Sequence, residues 1–401
     1  MIEKALIGDK KYWSWIAFLM IVIGIGFLSY LRQYYSGLTV TGLSRDITWG
    51  FYIAQFTFLV GVAASAVMVV LPYYLHNYKA FSKLTILGEF LAIGSVIMCM
   101  LFVFVDMGQP FRALNIFMHP TPHSLMFWDF LVLSGYLILN ALISRITLDA
   151  ERKGIAPPRW IKPIIIISIP WAISIHTVTA FLYSGLAARA FWMTAVLAPR
   201  FLASAFASGP ALLIIMVMVI RKFTRFDPGK EPVQKLAVIA TYAMSINIFL
   251  ILMEIFTVLY SNIPEHIDHF KFLFFGLDGN TTLVPWMWAS VTLAILALVL
   301  LLNPKTRKNE SVLAVACVAV FVSIWIDKGL GMVVAGFTPT PLGQVIQYWP
   351  TWTEFFISMG VYAIGALMVT VFYKMTLSLR GETYENRGDI VISEEAKSVA
   401  R

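Results

Sequence analysis

Cysteine is scarce in this chain: there are two among 401 residues, Cys99 and Cys317, both inside apolar stretches. An iron–sulfur cluster takes about four thiolates, and structural zinc needs clustered ligands at set spacings, so the chain holds neither from its own residues. Histidine is scarce too, with 6 copies. Only His176 lies well inside an apolar segment; His76 sits at a segment end and the others fall outside. A membrane cytochrome b needs paired histidines on facing helices, so no haem, iron–sulfur cluster or metal is expected. Charge is the third shortage. Charged residues make up 13% of the chain, against about 25% in soluble domains.

What is abundant is apolar. Hydrophobic residues reach 59%, more than a soluble fold can hide, which predicts an all-α polytopic membrane protein. A helix needs about 20 apolar residues to cross the hydrocarbon core. Ten stretches qualify, at 13–34, 49–75, 84–107, 124–147, 161–185, 199–220, 234–260, 284–302, 311–328 and 353–376. The first is too long for a signal-peptide core and no A-x-A site follows, so it is expected to remain as a helix. There is no low-complexity segment and no clear internal repeat.

The net charge of +8 could suggest nucleic acid, but the positions of the charges argue otherwise. Of the 30 Lys and Arg residues, 23 fall on one side of the ten spans and 7 on the other. The positive-inside rule then predicts both termini in the cytoplasm, with a polar cytoplasmic tail at 379–401. Trp49, Trp128, Trp192, Trp286, Trp288, Trp349 and Trp352 fall near outer ends, as interfacial belts do. Reporter fusions after Arg152, Arg225 and Lys308 are expected to read cytoplasmic, and fusions near His119, Asp268 and Gly343 external. A cytoplasmic signal from the 110–122 loop would reverse the orientation.

Against this apolar background a few polar groups stand out, mostly toward the outer face. Intramembrane charge is costly and tends to be functional. Gln55 lies about two turns below the outer end of the second span. Asp106 ends the third, followed by Arg112, His119 and His123 in the loop. Trp128 and Asp129 open the fourth, and His176 sits in the outer half of the fifth. Glu254 lies roughly 10 Å below the outer end of the seventh. Asp327 and Lys328 close the ninth. Glu89 alone lies in the inner half. Bland alternatives exist for most of these. Asp106 and Arg112 as a pair can simply pin the loop, His119 and His123 suit solvated loop residues, Asp327 and Lys328 can mark the interface, and Gln55 can bond a neighbouring helix. Glu254 and His176, each within a span, are harder to explain as structure.

Several motifs carry a family resemblance: WGFYIAQFTFLVGVAASA at 49–66, DMGQPFR at 106–112, TPHSLMFWDF at 121–130, HTVTAFLYSG at 176–185, Glu254 with Tyr260 and Ser261, DKGLGMVV, and YWPTWTEF. In order and spacing the chain resembles the NrfD/PsrC-type membrane subunits of respiratory complexes, over nearly its whole length. Its length and ten spans look most like the DsrP-type subunits of the sulfate-reducer DsrMKJOP complex. The resemblance implies an N-terminal span (1–35), two four-helix bundles (48–185 and 194–330) and a tenth span (352–378). It implies a quinone site near the outer face of the first bundle, beside an iron–sulfur protein subunit. In the DsrMKJOP setting the further partners are cytochrome c, cytochrome b and cytoplasmic iron–sulfur subunits. Asp106 and Arg112 match the family's Asp-x-Gly-x-Pro-x-Arg loop. Many relatives carry a histidine or other polar residue late in the second span, where this chain has Ala63, Ala64 and Ser65; the family's contact there does not carry over, and Gln55 is the remaining candidate.

The function so implied is a quinone-interacting subunit that exchanges electrons between menaquinol or quinone, an exchangeable substrate, and an iron–sulfur partner. Asp106, His123 and His176 are the candidate proton acceptors or hydrogen-bond partners, with Arg112 holding Asp106 ionised. Gln55, Trp128 and Asp129 are candidate walls of the quinone site, and Glu89 and Glu254 extend a proton path. A secondary transporter of a small ion or solute, or a proton-translocating membrane subunit, would also suit His176 and Glu254, although no paired Gly/Pro interruption marks two halves. A pure membrane anchor would leave the buried charges merely paired.

Overall fold

The structure, a computed structural model, describes residues 8–63, 65–76, 78–155 and 157–379. The expected tail, apart from Leu379, lies outside the described residues. Among these, ten helical spans are long and apolar enough to cross a membrane, and the nearest thing to a strand is one isolated bridge between Leu277 and Asn280. The chain is an all-α polytopic membrane protein.

The spans are α1 (Lys10–Ser36), α2 with α3 (Phe51–Ala63 and Ser65–Leu75), α4 (Ser82–Asp106), α5 (Leu125–Lys153), α6 (Ile161–Ser184), α7 (Leu197–Phe223) and α8 (Lys230–Ser261). After these come a short extramembrane helix α9 (Pro264–Phe274), then α10 (Val284–Leu302), α11 (Glu310–Ile324) and α12 (Trp352–Leu379). Local signals set several ends. Asp9 caps α1 by accepting from Tyr12 N at 2.8 Å, and Asn309 caps α11 by accepting from Ser311 N at 3.1 Å, since a side-chain oxygen satisfies an orphan N–H there. Gly154, at φ 65°, ends α5 in the left-handed region.

The ninth span departs from expectation. Instead of closing at Lys328, α11 passes into a π-helical turn, Trp325–Gly331, and continues through Met332–Ala335. The π register is rare and frequent at functional sites. Lys328 therefore does not mark the membrane surface; it is buried.

Every residue of α2 is buried. It packs on α4, α6, α7 and the π turn, and so runs through the centre of the molecule. α1 lies outside, packed mainly on α12, which also covers α4. Water does not drive helix association in lipid, so close approach over small residues does. Gly26 and Gly360 supply it between α1 and α12: a Cβ at Gly26 would meet Gly360 Cα at 2.7 Å. α9 is tied down by His269, whose Nδ1 donates to the carbonyls of Ala335 (2.7 Å) and Thr338 (3.0 Å). Burial holds this imidazole below its usual range, so it stays neutral.

Candidate functional site

Polar side chains gather in the half of the molecule nearest the basic-poor face, in three groups. The first surrounds the end of α4. Tyr52 donates its hydroxyl to Gln33 Oε1 at 2.7 Å, and Gln33 Nε2 donates to the Val105 carbonyl at 2.6 Å. Asp106 ends this helix with its Oδ1 buried and without a hydrogen-bond partner. Its charged neighbour is Glu354 rather than Arg112. Glu354 is wholly buried and accepts from Gly42 N (2.7 Å), Tyr348 Oη (2.7 Å) and Thr351 N (2.8 Å). Thr351 Oγ1 in turn accepts from Glu354 N at 3.4 Å. This reciprocal pair is a capping box, and it starts α12.

The second group lies between α2, α5 and α6. Thr179 donates to Asp129 at 2.5 Å, and Thr57 and Tyr183 share a hydrogen bond through their hydroxyls. Above them Trp49, Tyr183, Trp192 and Phe337 pack ring against ring. Arg189 stacks over Phe337 at 4.3 Å. Trp192, expected in an interfacial belt, is instead fully buried and donates Nε1 to the Met332 carbonyl at 2.9 Å. About two turns below this aromatic layer, His176 is completely buried, and neither ring nitrogen has a protein partner.

The third group radiates from the π turn. Trp325 Nε1 and Tyr362 Oη both donate to Gln55 Oε1 at 2.7 Å, while Gln55 Nε2 is buried and unpartnered. Asp327 accepts from Arg200 at 2.7 and 2.8 Å, and the same guanidinium donates to Glu254 at 2.7 Å. Planar guanidinium suits such a double carboxylate clamp. A small cavity of about 20 Å³ lies against this triad, room for about one water. Lys328 points the other way. Its Nζ lies 4.1 Å over the Phe201 ring, makes a long 3.5 Å contact with the Phe201 carbonyl and forms no ion pair among the described residues. It reaches α2 at Gly61, where a Cβ would come within 3.3 Å of Nζ. Cys99 and His176 lie within its electrostatic range.

Several sequence expectations change. Arg112 is exposed in the 3₁₀ turn Pro110–Leu114 and makes no ion pair among the described residues, so it does not hold Asp106 ionised. His123 is exposed. Trp128 is 44% exposed and donates Nε1 to the Pro122 carbonyl at 2.8 Å, which makes it a brace for the loop. Glu254 is not an isolated charge but one arm of the triad. Glu89 is buried in the opposite half, accepting from Ser144 at 2.9 Å. Charge counting along the sequence puts Arg200 among loop cations and passes over Glu354; Thr351 and Glu354, three apart, are the available signal for the latter.

The family model described as "Polysulphide reductase, NrfD" matches residues 39–336. Curated relatives align over most of the chain. One is a putative dimethyl sulfoxide reductase membrane subunit of Halobacterium salinarum, 27% identical with 89% of each chain covered. Another is the Hdr-like menaquinol oxidoreductase integral membrane subunit of Archaeoglobus fulgidus, 23% identical over 76% of this chain and 74% of the relative. A third, the menaquinone reductase integral membrane subunit of Nitratidesulfovibrio vulgaris, is 20% identical with 91% of each covered.

Proposed function

This chain belongs to the NrfD polysulphide reductase family, and on that premise we propose that it is the quinone-interacting membrane subunit of a multi-subunit oxidoreductase, working with menaquinone as two of its relatives are named to do. One observation carries the reading. Asp106 Oδ1, both nitrogens of His176 and Gln55 Nε2 are buried hydrogen-bonding groups without protein partners, on α4, α6 and α2. Buried polar atoms are normally satisfied. Groups left unsatisfied offer donors and acceptors to a polar group on an otherwise apolar guest.

Quinone chemistry moves two electrons and two protons. In this reading Asp106 exchanges a proton at Oδ1, and His176 donates or accepts one deeper in the membrane, as general acid–base groups do. Tyr52, through Gln33, fixes the backbone on which Asp106 stands. The electrons pass to a partner, since the chain supplies neither a cysteine cluster nor paired membrane histidines. In this reading an iron–sulfur protein docks on the basic-poor face, where the 110–128 loop exposes Phe111, Leu114, Phe117 and Met118. Cytochrome c, cytochrome b and cytoplasmic iron–sulfur subunits complete the assembly.

Titration of the purified complex with a fluorescent quinone analogue tests this. One saturable site per subunit is expected, weakened by His176→Phe. No saturable binding, or binding indifferent to both His176→Phe and Asp106→Asn, refutes the assignment.

A further inference from the structure

The basic-rich face carries two adjoining grooves that the quinone reading leaves unused. The smaller, about 440 Å³, is walled by Tyr73, Tyr74, Lys79, Ser82, Lys162 and Ile166. The larger, about 500 Å³, shares Tyr73, Tyr74 and Ser82 and extends past Thr85 and Thr147 toward Glu151.

The smaller groove has a definite sign. Lys79 and Lys162 are exposed there and make no ion pair among the described residues. No Asp or Glu lines it; Glu151 stands on the far wall of the larger groove. Lys83, beside them, is already engaged with the Asp227 carbonyl at 3.1 Å. The helix ends add to the field. Ser82 is the first residue of α4 and Lys162 the second of α6, and neither helix has a side-chain cap or an acidic residue in its first turn. The positive ends of two macrodipoles therefore meet at this rim.

The groove is also amphipathic in the direction a lipid requires. Along α6, about one turn from Lys162, Ile166 and Ile167 are each 50% exposed, forming a hydrocarbon-facing strip that begins where the lysines end. Tyr73 and Tyr74 pack edge to face with centroids 4.7 Å apart. They close the wall with side chains whose apolar body and polar tip suit headgroup depth. A site built for a free ion would have no use for the open apolar strip.

We propose that this groove binds an anionic phospholipid, its headgroup phosphate between Lys79 and Lys162 and an acyl chain along Ile166 and Ile167. The lipid would join the turn before α4 to the start of α6. This inference is independent of the quinone reading.

Native mass spectrometry of the detergent-purified chain, titrated with phosphatidylglycerol, tests it. The wild type should retain a tightly bound phosphatidylglycerol. The double variant Lys79→Gln/Lys162→Gln should bind it roughly thirtyfold more weakly, from about fivefold for each basic residue near an anionic headgroup. Lys79→Arg/Lys162→Arg should keep the affinity, which separates charge loss from misfolding. Phosphatidylcholine of the same chains should bind wild type and variant alike. Lys308→Gln, on the same face away from the groove, should leave phosphatidylglycerol binding unchanged. Three outcomes overturn the proposal: equal phosphatidylglycerol affinity in wild type and double variant, an equal loss in Lys308→Gln, or displacement of the lipid by millimolar inorganic phosphate, which would make this a free-anion site.

Discussion

Arg200→Leu should cost the protein about 3–5 kcal/mol, the usual penalty for removing one member of a buried ion cluster, and on that scale the variant should largely fail to accumulate. The guanidinium is 10% exposed and clamps Glu254 and Asp327, themselves 7% and 15% exposed. Its loss leaves two carboxylates facing each other at membrane depth. Arg200→Lys should be intermediate, because one ammonium cannot reproduce the planar fork. Neutralising the acids at the same time, in Arg200→Leu/Glu254→Gln/Asp327→Asn, should recover much of the loss, since uncompensated charge is what hurts. Thermal unfolding in detergent with yield after purification measures this. Full stability of Arg200→Leu alone would show that the triad is not a unit.

The other large effect is expected on activity. Asp106→Asn keeps the shape of the side chain and removes the titratable proton. Quinol-dependent electron transfer should fall about 10²- to 10⁴-fold, the range for losing a general acid or base, while the complex still assembles. Assembly should hold because Asp106 Oδ1 has no protein partner to lose. Arg112→Lys, on an exposed loop turn, should be nearly silent. Assembly by gel filtration and turnover on the same preparations decide the matter. Normal turnover in an assembled Asp106→Asn complex excludes the proton role, and failed assembly would return Asp106 to a loop-pinning one.

The ten spans are legible because hydropathy reports which residues leave water, and that alone selects the helices. The side-chain partners are not. Gln55 is open to bonding a neighbouring helix, but that Trp325 and Tyr362 supply the donors depends on the packing of α2 against the π turn and α12, about which hydropathy is silent. Asp106 and Arg112 lie six residues apart and suggest a pair; the 3₁₀ turn at Pro110–Leu114 leaves the arginine in solvent instead. Arg200, near the start of a span, looks like a loop cation, and only the meeting of α7 with α8 and the π turn shows it buried between two acids. The π turn itself has no sequence signature, so hydropathy alone puts Lys328 at the surface. Glu354 differs: the Thr351-x-x-Glu354 spacing announces a capping box, and what the sequence cannot add is that the same carboxylate also holds Gly42 and Tyr348.

The buried charges also bear on how the chain enters the membrane during synthesis. A charge at the helix centre costs an inserting helix about 2.5–3.5 kcal/mol at the translocon, and one nearer an end costs less. Arg200 is on α7 and Glu254 on α8, consecutive helices whose ends meet, so the hairpin can enter with its inner charges already cancelled. The ninth span brings Asp327 and Lys328 side by side, again summing to zero. In the folded chain Asp327 pairs with Arg200 on α7, while Lys328 lies against α2 at Gly61. A lysine without an ion pair among the described residues can still offset its neighbour's charge over the length of one span.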